Sequence, residues 1–141
     1  KQLWLLTDLE ALYVASNSLD TLPPEISAFK DLTDLQFPGN QLSKLPSEIG
    51  ELPNLEQLYL GDNKLADIPP ALANLKKLTT LDLENNPITD SEINDLKSIA
   101  SLKKLNLIGT KMTKEGVETV KGAPANCGIR SDFDEVQKKS E

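Results

Sequence analysis

An eleven-residue pattern, L-x-x-L-x-L-x-x-N-x-L, recurs along this chain at a nearly constant step. It starts at Leu9, Leu32, Leu55 and Leu78, each 23 residues after the one before, and a degenerate fifth copy starts at Leu102 after a step of 24. A unit this short cannot bury its own apolar face. Neighbouring copies must stack and share one continuous core, so the chain is constrained to a solenoid. Solenoids mostly present surfaces rather than carry out chemistry.

The copies read LEALYVASNSL (Leu9–Leu19), LTDLQFPGNQL (Leu32–Leu42), LEQLYLGDNKL (Leu55–Leu65), LTTLDLENNPI (Leu78–Ile88) and LKKLNLIGTKM (Leu102–Met112). The central L-x-L alternates with the period of a strand. It predicts that Leu12/Val14, Leu35/Phe37, Leu58/Leu60, Leu81/Leu83 and Leu105/Leu107 point inward. One strand per copy, all running the same way, gives a parallel sheet of about five strands at a spacing of about 4.8 Å. Asn17, Asn40, Asn63 and Asn86 fall in register, and a buried Asn there must hydrogen-bond the backbone as the chain leaves the strand.

Between the strands, LPPEI, LPSEI and IPPAL place Pro23, Pro24, Pro46, Pro69 and Pro70 on the outer side. No sheet ladder needs their missing N–H there, so extended or 3₁₀ backbone is expected. The later outer segments lack this proline signal. Thr89 and Glu92 have capping-box spacing, which predicts a helix over Asp90–Ala100. Thr113 as an N-cap predicts another over Thr113–Gly122. The expected organisation is one domain over 1–141. It comprises an N-terminal half-repeat at 1–8, repeats at 9–31, 32–54, 55–77, 78–101 and 102–122, and a C-terminal cap with a charged, fraying tail at 123–141. Leu3 and Leu6 align with Ile26 and Phe29, so the chain opens mid-repeat at Lys1. That fits either a built-in cap or a processed or excised segment. Trp4 is expected to cover this end and Cys127 to pack inside the C-terminal cap.

Composition narrows the function. The net charge is −7, which argues against nucleic acid or an anionic membrane as the default partner. No apolar run approaches the ~20 residues of a membrane span. Histidine is absent, removing the usual general base and metal ligand. A single cysteine forbids an intrachain disulfide, and there is no Asn-x-Ser/Thr sequon. These absences fit a cytosolic protein or a bacterial protein in any compartment, and leave the localisation open. No nucleophile elbow, P-loop, dinucleotide fingerprint or metal-spaced Cys/His set is present, so neither a cofactor nor a metal is expected. Asp82 and Glu84 share a strand face, but a paired-carboxylate site would stand on an open sheet. Asp132, Asp134 and Glu135 lack the spacing of a calcium loop.

The five copies, from Leu3 to about Val120, resemble the leucine-rich repeat superfamily; the fifth departs from its consensus at Thr110. The LPxxI segments are similar to the 23-residue class found in plant and animal Ras-group proteins and in many bacterial ones. The ending GTKMTKEGVETV…PANC is similar to bacterial members, so a bacterial source is expected. The resemblance implies an α/β right-handed arc. Its concave face is the parallel sheet; its convex layer is 3₁₀ or extended at first and turns to α-helices toward the C-terminus. It also implies a concave face that binds proteins.

On that frame, four rows of side chains cross the sheet. They are Ala11–Asp34–Gln57–Thr80–Lys104, Tyr13–Gln36–Tyr59–Asp82–Asn106, Ala15–Pro38–Gly61–Glu84–Ile108 and Ser16–Gly39–Asp62–Asn85–Gly109. The expected partner-binding residues are Tyr13, Asp34, Gln36, Gln57, Tyr59, Asp62, Asp82, Glu84 and Asn106. Both tyrosines of the chain fall in the central row. Tyrosine is enriched at binding hot spots, although aromatics also simply suit a pleated surface. The acidic residues Asp34, Glu56, Asp62, Asp82 and Glu84 would suit a partner with a basic surface, or serve as an ordinary solvated face. The leading expectation is a monomeric, non-catalytic protein-binding module. The alternatives are an accessory or targeting segment of a larger enzyme or receptor, and a structural repeat protein that self-associates through an open end.

Overall fold

The computed structural model describes residues 3–124 and 126–134. Six three-residue strands form one parallel sheet in chain order: β1 (Ala11–Tyr13), β2 (Asp34–Gln36), β3 (Gln57–Tyr59), β4 (Thr80–Asp82), β5 (Lys104–Asn106) and β6 (Gly128–Arg130). The repeat frame is the hydrogen-bonding register. Ala11 pairs with Asp34, Leu35 with Leu58, Tyr59 with Asp82, and Asp82 with Asn106. The architecture is an α/β arc of stacked repeats, as the repeat period requires.

The sheet has six strands where about five were expected. The segment read as a closing half-turn pairs with β5, setting Lys104 opposite Gly128, Leu105 opposite Ile129 and Asn106 opposite Arg130. Ile129 takes the inward place of the strand leucines and packs, half-buried, against the core. With only one inward apolar residue and no following repeat, this strand left no repeat signature to read.

Opposite the sheet, 3₁₀ turns at Pro24–Ala28, Ser47–Glu51 and Pro70–Asn74 stack on one another. Pro24 and Pro70 occupy the first helical position, where a missing N–H costs nothing, and Pro23, Pro46 and Pro69 hold extended backbone just before each turn. Further on, α1 (Ile93–Ser98) and α2 (Lys114–Lys121) replace them, as the loss of proline predicts. The first is shorter than expected, because Asp90–Glu92 forms a 3₁₀ turn ahead of it. The second begins as read: Thr113 Oγ1 accepts from Gly116 N at 3.0 Å.

The core is one stack of apolar side chains. Ile26, Phe29, Leu35, Leu58, Leu81 and Leu105 are fully or almost fully buried, and Val14 is half-buried. The asparagines hold the stack together through the backbone. Asn63 Nδ2 donates to Phe37 O at 2.8 Å in the preceding repeat and to Leu60 O at 3.0 Å in its own, while its Oδ1 accepts from Leu42 N at 3.0 Å. Asn40 and Asn86 do the same. Asn17 is the exception. It is exposed, and its side chain donates only to Ala15 O. Thr110, in the fifth copy, retains a single bond of the set, to Leu107 O at 2.8 Å.

The Thr89/Glu92 capping box is not formed. Thr89 Oγ1 accepts from Ser91 N, but Glu92 turns away from Thr89. Its buried carboxylate accepts instead from Ile68 N at 2.8 Å in the preceding repeat. The reason is satisfaction: a buried backbone N–H on the proline-rich side needs an acceptor, and Glu92 is the one within reach. The expectation for the Trp4 side chain and those for the 135–141 tail, Glu135 included, lie outside the described residues.

Candidate functional site

The concave face is built by alternation. In each of β1 to β5 the middle residue is buried, in β6 it is half-buried, and its two neighbours stand on the opposite face. The register therefore assembles the first two of the four rows expected from sequence and extends each by one residue. Gly128 joins the row of Ala11, Asp34, Gln57, Thr80 and Lys104; Arg130 joins the row of Tyr13, Gln36, Tyr59, Asp82 and Asn106. Arg130 and its neighbour Lys104 were not among the expected binding residues. The available signal was the 24-residue step from Lys104–Leu105–Asn106 to Gly128–Ile129–Arg130.

Two hydrogen-bonded groups organise this face. Over the N-terminal strands, the Tyr13 hydroxyl donates to Asp34 Oδ2 at 3.0 Å, and Gln36 Nε2 donates to both Asp34 oxygens. The bond to the Asp34 carboxylate raises the Tyr13 pKa, since losing the phenolic proton would set two negative charges together. Tyr13 remains 62% exposed even so. Tyr59 is positioned by a hydroxyl bond to Gln57 Oε1 at 3.2 Å.

Over the C-terminal strands, Asp82 Oδ1 accepts from Glu84 N at 2.9 Å, and Asn106 Nδ2 donates to Glu84 Oε2 at 2.8 Å. Burial raises the Asp82 pKa despite the Glu84 N–H, which pulls the other way. A hollow of about 380 Å³ opens here, lined by Tyr59, Thr80, Asp82, Lys104, Asn106 and Arg130 among others. The C-terminal half of the concave face thus carries a shallow hollow that stays open to solvent.

The expected site residues do not all share one setting. Tyr13, Asp34, Gln36, Gln57, Tyr59, Asp82 and Asn106 stand on the strands. Glu84 lies just beyond β4, joined to them through Asn106. Asp62 belongs elsewhere: it sits in the turn after β3 with φ +55°, and its Oδ1 accepts from Asn85 Nδ2 at 2.8 Å. Ser16, Gly39, Asn85 and Gly109 share this left-handed conformation, so the fourth row is a turn at the rim of the sheet. Its Gly, Asn, Asp and Ser residues answer a backbone requirement, which small or locally bonding side chains tolerate best.

Among the described residues no group of three or more His, Cys, Asp or Glu could hold a metal ion, and no helix is long and apolar enough to cross a membrane. Cys127 is half-buried against the core, and burial pushes its thiol pKa up, the opposite of an activated thiolate.

Comparison with known proteins agrees with this architecture. A leucine-rich-repeat family model matches residues 7–65, and a second, covering two copies, matches residues 53–98. The chain is a leucine-rich repeat protein. It is similar to the structure of a leucine-rich-repeat protein from Leptospira interrogans, at 31% identity and a TM-score of 0.78, covering 92% of this chain and 33% of that one. An internalin from Listeria monocytogenes shares the fold at 24% identity and a TM-score of 0.77, over 94% of this chain and 37% of that one. The ectodomain of a receptor kinase from Arabidopsis thaliana is 26% identical with a TM-score of 0.64, over 85% of this chain and 67% of that one. The chain therefore spans about a third of the length of the first two. No curated protein matches it significantly. Proteins of this family typically serve as interaction modules.

Proposed function

We propose that this chain is a non-catalytic module that binds a partner protein on its concave face. The observation that carries the reading is the central row. Tyr13, Gln36, Tyr59, Asp82, Asn106 and Arg130 stand side by side, and the first five are fixed by hydrogen bonds to their neighbours. Side chains held in place before binding lose little freedom on binding, and two of these are rigid tyrosines. Six strands at about 4.8 Å span about 24 Å, enough for one helix, a loop or one side of a small domain. Asp34, Asp82 and Glu84 favour a basic surface on the partner.

The test begins with affinity capture from source-cell extract and continues with the purified captured protein. Tyr59→Ala, checked for folding by circular dichroism, is expected to weaken binding by about tenfold or more, the scale of a modest hot spot. Unchanged affinity would remove the concave face from consideration.

A second reading is that the chain is the binding segment of a larger receptor or enzyme. It is favoured by its short span against its structural relatives, one of which is a receptor-kinase ectodomain. The full-length gene decides this, by the presence or absence of a catalytic domain joined to the repeats.

A further inference from the structure

The charges on the concave face are sorted along the arc. On β1 to β4 and at their margins, every charged residue named so far is acidic: Asp34, Asp82 and Glu84, with Glu56 just before β3. On β5 and β6 themselves the sign reverses to Lys104 and Arg130, with Lys103 just before β5. Asp132, two residues past β6 as Glu84 is past β4, is taken up by Gly109 N at 2.9 Å. The whole chain shows the same gradient. Eleven acidic and four basic residues precede Pro70, and eleven of each follow from there on. The boundary runs through the hollow, whose lining includes Asp82 on one side and Lys104 and Arg130 on the other. In the central row, Asp82 and Arg130 stand two strand spacings apart, about 10 Å. No direct ion pair joins them, although the Arg130 charge still acts on Asp82 and pulls its pKa down. Among the described residues the ion pairs all involve Lys121 instead. Lys104 and Arg130 thus have no ion-pair partner among the described residues, and the acids opposite them are held by hydrogen bonds rather than by cations.

We infer that the concave face takes a bipolar protein segment: basic side chains over β1 to β4, and an acidic group over β5 and β6 at the hollow. This rests on the concave-face reading above and adds the partner's chemistry and polarity. A uniformly basic partner would meet Lys104 and Arg130 head-on, and like charges across an interface cost binding. A uniformly acidic one would meet Asp34, Asp82 and Glu84. Only a segment with the two signs at opposite ends satisfies both, so the face fixes the partner's orientation as well as its composition.

A random library of peptides of about sixteen residues, displayed on phage and selected on the wild-type protein, tests this directly. The expected winners carry basic residues in one half and acidic residues in the other. Lys104→Glu/Arg130→Glu should weaken them about tenfold or more, and peptides with the acidic half changed to lysine should regain the loss on that variant. Lys104→Gln/Arg130→Gln gives the same direction without introducing new charge, should the reversal disturb folding. Winners that are uniformly basic and indifferent to the Lys104/Arg130 variants, yet weakened by Tyr59→Ala, overturn the polarity and leave the concave site standing. Winners indifferent to every concave substitution, or no enrichment at all, overturn both.

Discussion

Leu6 and Phe29 occupy the same place in successive turns of the solenoid, yet Leu6 is 56% exposed and Phe29 is fully buried. Leu3 and Ile26 differ the same way, as do Asn17 and Asn40. The opposite end is built otherwise. There α2 buries Val117 and Val120, and β6 pairs along β5. The contrast separates two things that a repeat consensus merges. Position within the repeat decides where a side chain points; position within the stack decides whether anything covers it. The C-terminal end supplies that cover with a helix and a strand outside the consensus, and among the described residues the N-terminal end leaves Leu3, Leu5, Leu6 and Leu19 exposed.

The sharpest way to break this contrast is to truncate matched leucines. Leu58→Ala empties space in the middle of the stack and should cost about 2–5 kcal/mol. Leu6→Ala should stay within about 0.5 kcal/mol, as surface substitutions do. Denaturant unfolding measures both, and similar losses would mean that Leu6 is covered in solution. The asparagines give a smaller version. Asn63→Ala orphans the buried Leu42 N–H and takes one of the donors from each of the Phe37, Leu60 and Gly61 carbonyls, at about 1–3 kcal/mol. Asn17→Ala removes one exposed bond and should change stability by a few tenths of that. Equal effects would place the stabilising role of Asn in the local turn and not in the link between repeats.

Much of this was legible because a period carries its own register. Knowing that Leu35, Leu58 and Leu81 are equivalent fixes the strand pairing and the rows of the concave face. What escaped was whatever depends on a neighbour outside the pattern. Glu92 has the spacing of a capping box, and only the approach of Ile68 N from the preceding repeat explains why it turns inward. Asp62 reads as a surface acid until its positive φ shows that the turn selects it. Arg130 escaped because β6 offers one inward residue, Ile129, where the other strands belong to a full eleven-residue motif.

Asp82 refines the comparison between the two halves of the concave face at the smallest scale. Asp34, over the N-terminal strands, has Tyr13 and Gln36 donating to it. Asp82, over the C-terminal strands, is half-buried beside Glu84, and burial raises its pKa. A carboxyl whose folded pKa lies above its unfolded value binds its proton more tightly in the folded state. Its contribution is fully present below the unfolded pKa, near 4, and is lost as pH rises through the higher folded value. At neutral pH the ionised Asp82 is therefore a small net burden on folding. Asp82→Asn keeps an oxygen for the Glu84 N–H and removes the charge. It should leave stability at pH 7 unchanged or slightly higher, and should remove the Asp82 contribution to the change in stability as pH rises through the mildly acidic range. Thermal melts of both proteins across that range provide the measurement. A variant that is less stable at pH 7, with the pH slope intact, would show that the Asp82 charge is compensated inside the molecule. The hollow would then have no uncompensated anion to offer a partner's cation.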